Sequence, residues 1–227
     1  VRPRLVYFDQ WTDPVAGEVL AQYGGIDVTR LAITGAVHAN WDALEHAHGY
    51  QSLIRTELAR NPGVAEQWIC GHELLARCPE LLAVCSAGAG YDIIDVDACT
   101  AAGVIVCHNS GPGREAVAEH ALGFMLALAK KIVLADRAIR RHVVEDRTAL
   151  RGSELAGKTV GIVGLGQIGS RLVELCVPFA MTVLAYDPYL TDAEVRVRGA
   201  TKVELDELLE RSDFVQLTCP LTPETER

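Results

Sequence analysis

Six residues in the second half of the chain, Gly164-Leu165-Gly166-Gln167-Ile168-Gly169, have the spacing that brings a backbone against a pyrophosphate. Glycines so placed allow a tight turn, admit the phosphates to contact with the main chain and let the next helix lie close to its strand. That helix aims its unpaired N–H groups and the positive end of its dipole at the anion. A carboxylate about 20 residues further on can accept hydrogen bonds from an adenosine ribose, and Asp187 stands 21 positions after Gly166. A carboxylate there suits the free 2′-hydroxyl of NAD and repels the 2′-phosphate of NADP. No Arg follows at once; the next residues are Pro188 and Tyr189. NAD is the expected cofactor.

Such a motif works only between a strand and a helix. Residues 158–163, Lys-Thr-Val-Gly-Ile-Val, read as a strand buried on both faces. Over residues 168–179, Ile168, Leu172, Val173 and Cys176 recur at helical spacing and Pro178 closes the helix. A second strand over 181–186 delivers Asp187. Residues 214–217, Phe-Val-Gln-Leu, read as the fourth strand of the same unit. In a doubly wound sheet the crevice lies between strands one and four, so Thr218, Cys219 and Pro220 should face the glycine turn.

The first half shows its own β/α alternation. Residues 5–8 and 26–31 read as strands, with a helix over 14–23 between them. Asn40 opens a helical stretch with Asp42 and Glu45 in its first turns, where acids suit the dipole. Residues 55–67 are polar, hold the turn signal Asn61-Pro62-Gly63 and are assigned no element. A helix over 72–77 and a buried strand over 81–85 lead into Ser86-Ala87-Gly88-Ala89-Gly90-Tyr91-Asp92. That loop can be an anion-binding concavity of N–H groups or a tight turn alone. A further step runs through 95–103 to a strand over 104–107. Residues 114 to about 141 then read as one long helix, apolar around most of its circumference and so buried between two bodies. Gly111-Pro112-Gly113 before it is the hinge candidate, and 142–157 the polar connection after it.

Composition narrows the class. With 49% hydrophobic residues among 227, the chain can bury the cores of two small domains. A net charge of −9, a pI near 5.3 and no basic block argue against nucleic acid or an anionic membrane as partner. No apolar run approaches the ~20 residues that span a bilayer. Val1-Arg2-Pro3-Arg4 enters a strand directly, without a signal-peptide core, and a first residue other than Met points to a partial chain. Cys70, Cys78, Cys85, Cys99, Cys107, Cys176 and Cys219 form no C-x-x-C pair. Reduced thiols in a cytoplasmic protein are expected, with neither disulfides nor zinc.

Four stretches taken together resemble the D-isomer-specific 2-hydroxyacid dehydrogenase family. They are residues 87–95, Ala-Gly-Ala-Gly-Tyr-Asp-Ile-Ile-Asp; 116–121, Ala-Val-Ala-Glu-His-Ala; 155–166, which run into the glycine turn; and 217–225, Leu-Thr-Cys-Pro-Leu-Thr-Pro-Glu-Thr. The resemblance covers nearly the whole chain and is weakest before residue 68. It implies an α/β protein with a flavodoxin-like substrate domain, residues 1–112, lacking its usual C-terminal return helix. A Rossmann NAD-binding domain, a doubly wound parallel sheet, would follow over 113–227, incomplete after strand four. It also implies that Ala87, Gly88 and Ala89 hold the substrate carboxylate through their N–H groups. Gly164, Gly166, Gln167, Ile168, Gly169, Asp187, Thr218, Cys219 and Pro220 would serve the cofactor; for Cys219, packing alone is the alternative. The partner implied is a small 2-hydroxy or 2-keto acid, and the complete protein would be a homodimer. One departure stands out: where the family often carries Gly-Asn-Thr, this chain reads Gly111-Pro112-Gly113-Arg114. Arg114 either attracts an acidic substrate or faces solvent near the helix start.

The family's reaction needs an Arg to polarise the substrate, a His to exchange the hydroxyl proton and a Glu to hold that His. All three follow the segment where this chain ends. His108, His120 and His142 match none of them, and His120 is read as a hydrogen-bonded histidine of the buried helix. The resemblance thus implies an NAD-dependent oxidoreductase acting on the CH–OH group of a D-2-hydroxyacid, with the 227 residues by themselves inactive. A non-catalytic NAD-binding regulator, like the family's corepressor relatives, is the alternative. The apolar strand at 214–217 is expected to leave one edge open and to make the isolated chain associate.

Overall fold

The computed structural model describes residues 2–9, 15–142, 146–222 and 224–226. The expected helix start at Pro14, part of the connection at 142–157, and Pro223 lie outside them. The chain divides into two compact units, Val1–Ser110 and Gly111–Arg227, where the sequence reading placed the boundary after residue 112.

Unit 1 is built on five parallel strands: β1 (Arg4–Phe8), β2 (Asp27–Leu31), β3 (Gly49–Gln51), β4 (Ala83–Cys85) and β5 (Ile105–Cys107). Their order, β2-β1-β3-β4-β5, is the 2-1-3-4-5 order of a flavodoxin-like sheet. Aromatic side chains make its core: Phe8 and Trp41 pack on Trp68 at ring-centroid distances of 5.1 and 5.0 Å. Tyr50 is fully buried and its hydroxyl donates to the Trp68 carbonyl oxygen at 2.7 Å, which removes the penalty of an unpaired polar group.

One strand of this unit was not foreseen, and two expectations need correction. The central strand β3 is only three residues long with one of them buried, too short to give a period. The helix α2 (Val37–Leu44), the second after α1 (Val15–Gln22), starts three residues before Asn40. Asn40 is instead buried in it, donating its amide to the Ala32 carbonyl oxygen at 2.9 Å. Asp42 and Glu45 therefore stand at the helix end, where Arg77 pairs with Glu45 at 2.6 Å. The strand foreseen over 81–85 is reduced to β4, and Leu82 ahead of it is exposed. The unassigned stretch forms α3 (Arg55–Arg60), a turn at Gly63 and a short 3-10 turn, Glu66–Trp68. It is followed by α4 (His72–Arg77), and α5 (Val96–Ala102) lies between β4 and β5.

Unit 2 opens with α6 (Arg114–Ala129) and α7 (Ile132–Arg140), not with one helix. The break has a local cause. Lys131 takes a left-handed conformation, φ 53°, and the returning segment seals the end of α6: Ser153 donates its N–H to the Ala129 carbonyl oxygen at 2.7 Å. Nor is the helix buried all round. Ala118, Ala121, Met125 and Ala129 face the core of unit 2, whereas Phe124 and Leu128 are 59% and 69% exposed. His120 is exposed as well and lies edge-on to the Phe124 ring.

Four parallel strands follow, β6 (Thr159–Val163), β7 (Thr182–Tyr186), β8 (Thr201–Lys202) and β9 (Phe214–Leu217), in the order β8-β7-β6-β9. This is the 3-2-1-4 half of a Rossmann sheet. Between them run α8 (Gln167–Cys176), α9 (Asp192–Val197) and α10 (Leu205–Arg211). Helix α8 stops two residues before Pro178, which sits in a 3-10 turn. The β9 ladder joins β6 alone among the described residues, and Leu217 on it is exposed.

Candidate dinucleotide-binding site

The carboxyl ends of β6, β7 and β9 converge in unit 2, and a cavity of about 630 Å³ opens there. Val163, Gly164, Asp187, Cys219 and Pro220 are among its lining residues. Gly164 is required by the backbone: φ is +88°, and a Cβ on it would stand 2.7 Å from the Cys219 nitrogen. Gly169 lies under the turn, where a Cβ would come within 2.6 Å of the Gly164 carbonyl oxygen. Thr218 closes the contact from the other side by donating its hydroxyl to that same oxygen at 2.5 Å. The turn and the end of β9 are thus one packed piece, which is why the sheet order brings Thr218 and Cys219 to the glycines.

Gly166 differs from its two companions. A Cβ there would meet nothing within 4 Å. It is the N-cap of α8 and no side chain caps that helix, so the N–H groups of its first turn, beginning at Gln167 and Ile168, have no intrahelical partner. Open space before uncapped N–H groups and the positive end of a ten-residue helix fits a pyrophosphate.

Asp187 is half-buried at the end of β7. Its Oδ2 accepts the Leu165 N–H at 2.9 Å and its Oδ1 accepts the Tyr189 N–H at 3.0 Å. The carboxylate therefore braces the glycine turn as well as facing the cavity. Tyr186, Tyr189, Thr222, Glu224 and Thr225 complete much of the lining. The sequence reading gave these five no role. Readable signals existed for four of them: Tyr189 stands two positions after the acid, and Thr222, Glu224 and Thr225 lie within the motif at 217–225.

In unit 1, the loop after β4 is anchored through its oxygens. Asn109 N–H donates to the Gly88 carbonyl at 3.0 Å, and His108 Nδ1 lies 3.0 Å from the Ala89 carbonyl oxygen, so that nitrogen carries the proton. Ser86 donates its hydroxyl to the Gly90 carbonyl at 2.5 Å. Among the described residues the N–H groups of Gly88 and Ala89 have no backbone acceptor. A loop held by its carbonyls with its amides to spare can take a carboxylate. Arg114 is exposed and pairs with Glu115 at 3.1 Å. Glu115 also accepts from Arg171 at 2.6 Å, tying α6 to α8, and that guanidinium holds its carboxyl below the usual range.

The seven cysteines are all free thiols. Burial pushes Cys176 and Cys78 up to about 11. Among the described residues no group of His, Cys, Asp and Glu could hold a metal ion, and no helix is long and apolar enough to cross a membrane.

Comparison with known proteins agrees with this geometry. Residues 122–227 match the sequence profile of the D-isomer specific 2-hydroxyacid dehydrogenase, NAD binding domain. D-3-phosphoglycerate dehydrogenase of Mycobacterium tuberculosis is 43% identical over 153 residues, 67% of this chain and 29% of the relative. The enzyme of that name from Bacillus subtilis is 38% identical over 184 residues, 81% of this chain and 33% of the relative. The chain therefore spans about a third or less of the length of these relatives. Among solved structures, D-lactate dehydrogenase from Aquifex aeolicus, complexed with NAD and lactic acid, superposes with a TM-score of 0.79 at 25% identity. That likeness covers 97% of this chain and 62% of the other. Unit 2 is an NAD-binding domain of the D-isomer-specific 2-hydroxyacid dehydrogenase type.

Proposed function

We propose that this chain serves an NAD-dependent oxidoreductase acting on the CH–OH group of a D-2-hydroxyacid. The observation that carries the reading is the cavity at the ends of β6, β7 and β9, where Gly164, Asp187, Cys219 and Pro220 meet. NAD, when bound, supplies the hydride acceptor. The chain's own part is to hold it: the amides opening α8 take the pyrophosphate and Asp187 takes the adenosine ribose. In unit 1 the free amides at Gly88 and Ala89 take the substrate carboxylate. The name shared by the relatives supports 3-phosphoglycerate as the hydroxyacid.

The resemblance calls for a catalytic Arg, Glu and His, and none of the 227 residues stands at a matching position. The 227 residues by themselves are therefore expected to bind the dinucleotide and not to reduce a 2-keto acid. The free thiols support a cytoplasmic setting. The exposed apolar side chains Phe124, Leu128, Ile132 and Ile139 on α6 and α7 support pairing with a second copy.

Calorimetric titration of the chain with NADH and NADPH tests the cofactor reading. Saturable binding of NADH, weaker binding of NADPH and a loss of about tenfold in NADH affinity in Asp187→Ala are the expected results. Equal affinity for the two dinucleotides would contradict it.

A further inference from the structure

We propose that Glu224, held in place by the Tyr189 hydroxyl, is a second specificity group of the cofactor cavity, acting with Asp187 to exclude a 2′-phosphorylated ribose. The inference rests on the reading of unit 2 as the NAD site. Asp187 is partly committed to the fold, since each of its oxygens already accepts a backbone N–H, from Leu165 and from Tyr189. Glu224 stands on the segment after β9 and lines the same cavity. Its Oε2 accepts the Tyr189 hydroxyl at 2.9 Å. That bond joins the segment after β9 to the segment after β7, two walls of the one cavity. Glu224 also stands on a built turn: Thr225 donates its hydroxyl to the Pro220 carbonyl at 2.6 Å, and the Thr222 N–H donates to the Thr225 hydroxyl at 2.8 Å.

The electrostatics point the same way. The Tyr189 hydroxyl is held above its usual range, first by Glu224 and to a lesser degree by Asp187, so both carboxylates act on one point of the cavity. No Lys or Arg is among the lining residues described. Arg198 does reach the glycine turn, but it is engaged by the Leu165 carbonyl oxygen and is outside the lining. A 2′-phosphate, with nearly two negative charges, would meet two carboxylates without a facing cation. A free 2′-hydroxyl can donate to either of them.

The test is the ratio of dissociation constants for NADH and NADPH, read by nicotinamide fluorescence. ADP-ribose and 2′-phospho-ADP-ribose, read by calorimetry, serve as probes of the adenosine end alone. The proteins are the unmodified chain, Glu224→Gln, Tyr189→Phe, Asp187→Ala and the double variant Asp187→Ala/Glu224→Gln, each with its melting temperature checked. Glu224→Gln is expected to tighten NADPH by about tenfold and to change NADH by less than about threefold. Tyr189→Phe should give part of that shift, because the carboxylate loses its tether. Asp187→Ala alone should still disfavour NADPH, and the double variant should lose most of the remaining preference. A ratio unmoved by Glu224→Gln while NADH still binds, or an equal loss for both dinucleotides, would overturn this inference alone. Failure of the unmodified chain to bind NADH would overturn both it and the cofactor reading.

Discussion

Two glycine-rich turns follow parallel strands in this chain, one after β4 in unit 1 and one after β6 in unit 2, and their glycines are there for different reasons. After β6 the backbone itself demands them: Gly164 has φ +88°, and a Cβ on Gly164 or Gly169 would overlap the main chain. After β4 neither Gly88 nor Gly90 has a positive φ, and a Cβ on Gly88 would meet nothing within 4 Å. The turns also differ in what comes next. Helix α8 begins inside its turn without a side-chain cap, so its amides are left for a ligand. Helix α5 begins beyond its loop and is already capped, Asp95 accepting the Ala98 N–H at 2.9 Å. The second turn thus offers a ligand a helix end in a fixed frame; the first offers only its own loop amides. A glycine that the fold does not require is the better indicator of close approach by a ligand.

The largest effect should come from the frame. Gly164→Ala forces a side chain into the left-handed region at about 1–3 kcal/mol, and the overlap with Cys219 adds to that. A melting temperature lower by several degrees and NADH affinity down by at least about 100-fold are expected, from thermal unfolding and titration. Gly88→Ala should behave in the opposite way. Its backbone angle is open to alanine, so stability should stay level or rise by up to about 1 kcal/mol, with NADH binding unchanged. A loss of stability matching that of Gly164→Ala would erase the distinction between the turns.

The smallest effect sharpens the frame around α8. Arg171 first, and Arg114 less, hold the Glu115 carboxyl below its ordinary 4.5. A depressed carboxyl contributes stability that is complete above its unfolded value and is lost as the pH falls through the folded one. The melting temperature of Glu115→Gln should therefore lie slightly below that of the unmodified chain near neutrality, and the gap should shrink as the pH falls below 4.5. A gap that stays constant down to the acid limb would mean that the Arg171 pair contributes nothing.

What the sequence revealed follows from how local each requirement is. The glycine turn, β6, α8, β7 and Asp187 impose fixed short spacings, so they can be read along the chain. The break between α6 and α7 cannot, because it depends on Ser153 returning to the Ala129 carbonyl from 24 positions away. Strand β3 is legible only once its neighbours β1 and β4 are placed on either side. Glu224 was visible within a motif, yet its role depends on Tyr189, 35 positions earlier. The exposed face of α6 was misread because circumferential apolarity does not say which face the core of unit 2 covers.

Amide hydrogen exchange with and without NAD⁺ tests whether the turn after β6, Asp187 and the end of β9 form the NAD site. Slower exchange is expected at the start of α8 and across 218–225, with little change in β1 to β3. Binding without protection at the glycine turn, or protection confined to unit 1, would contradict it.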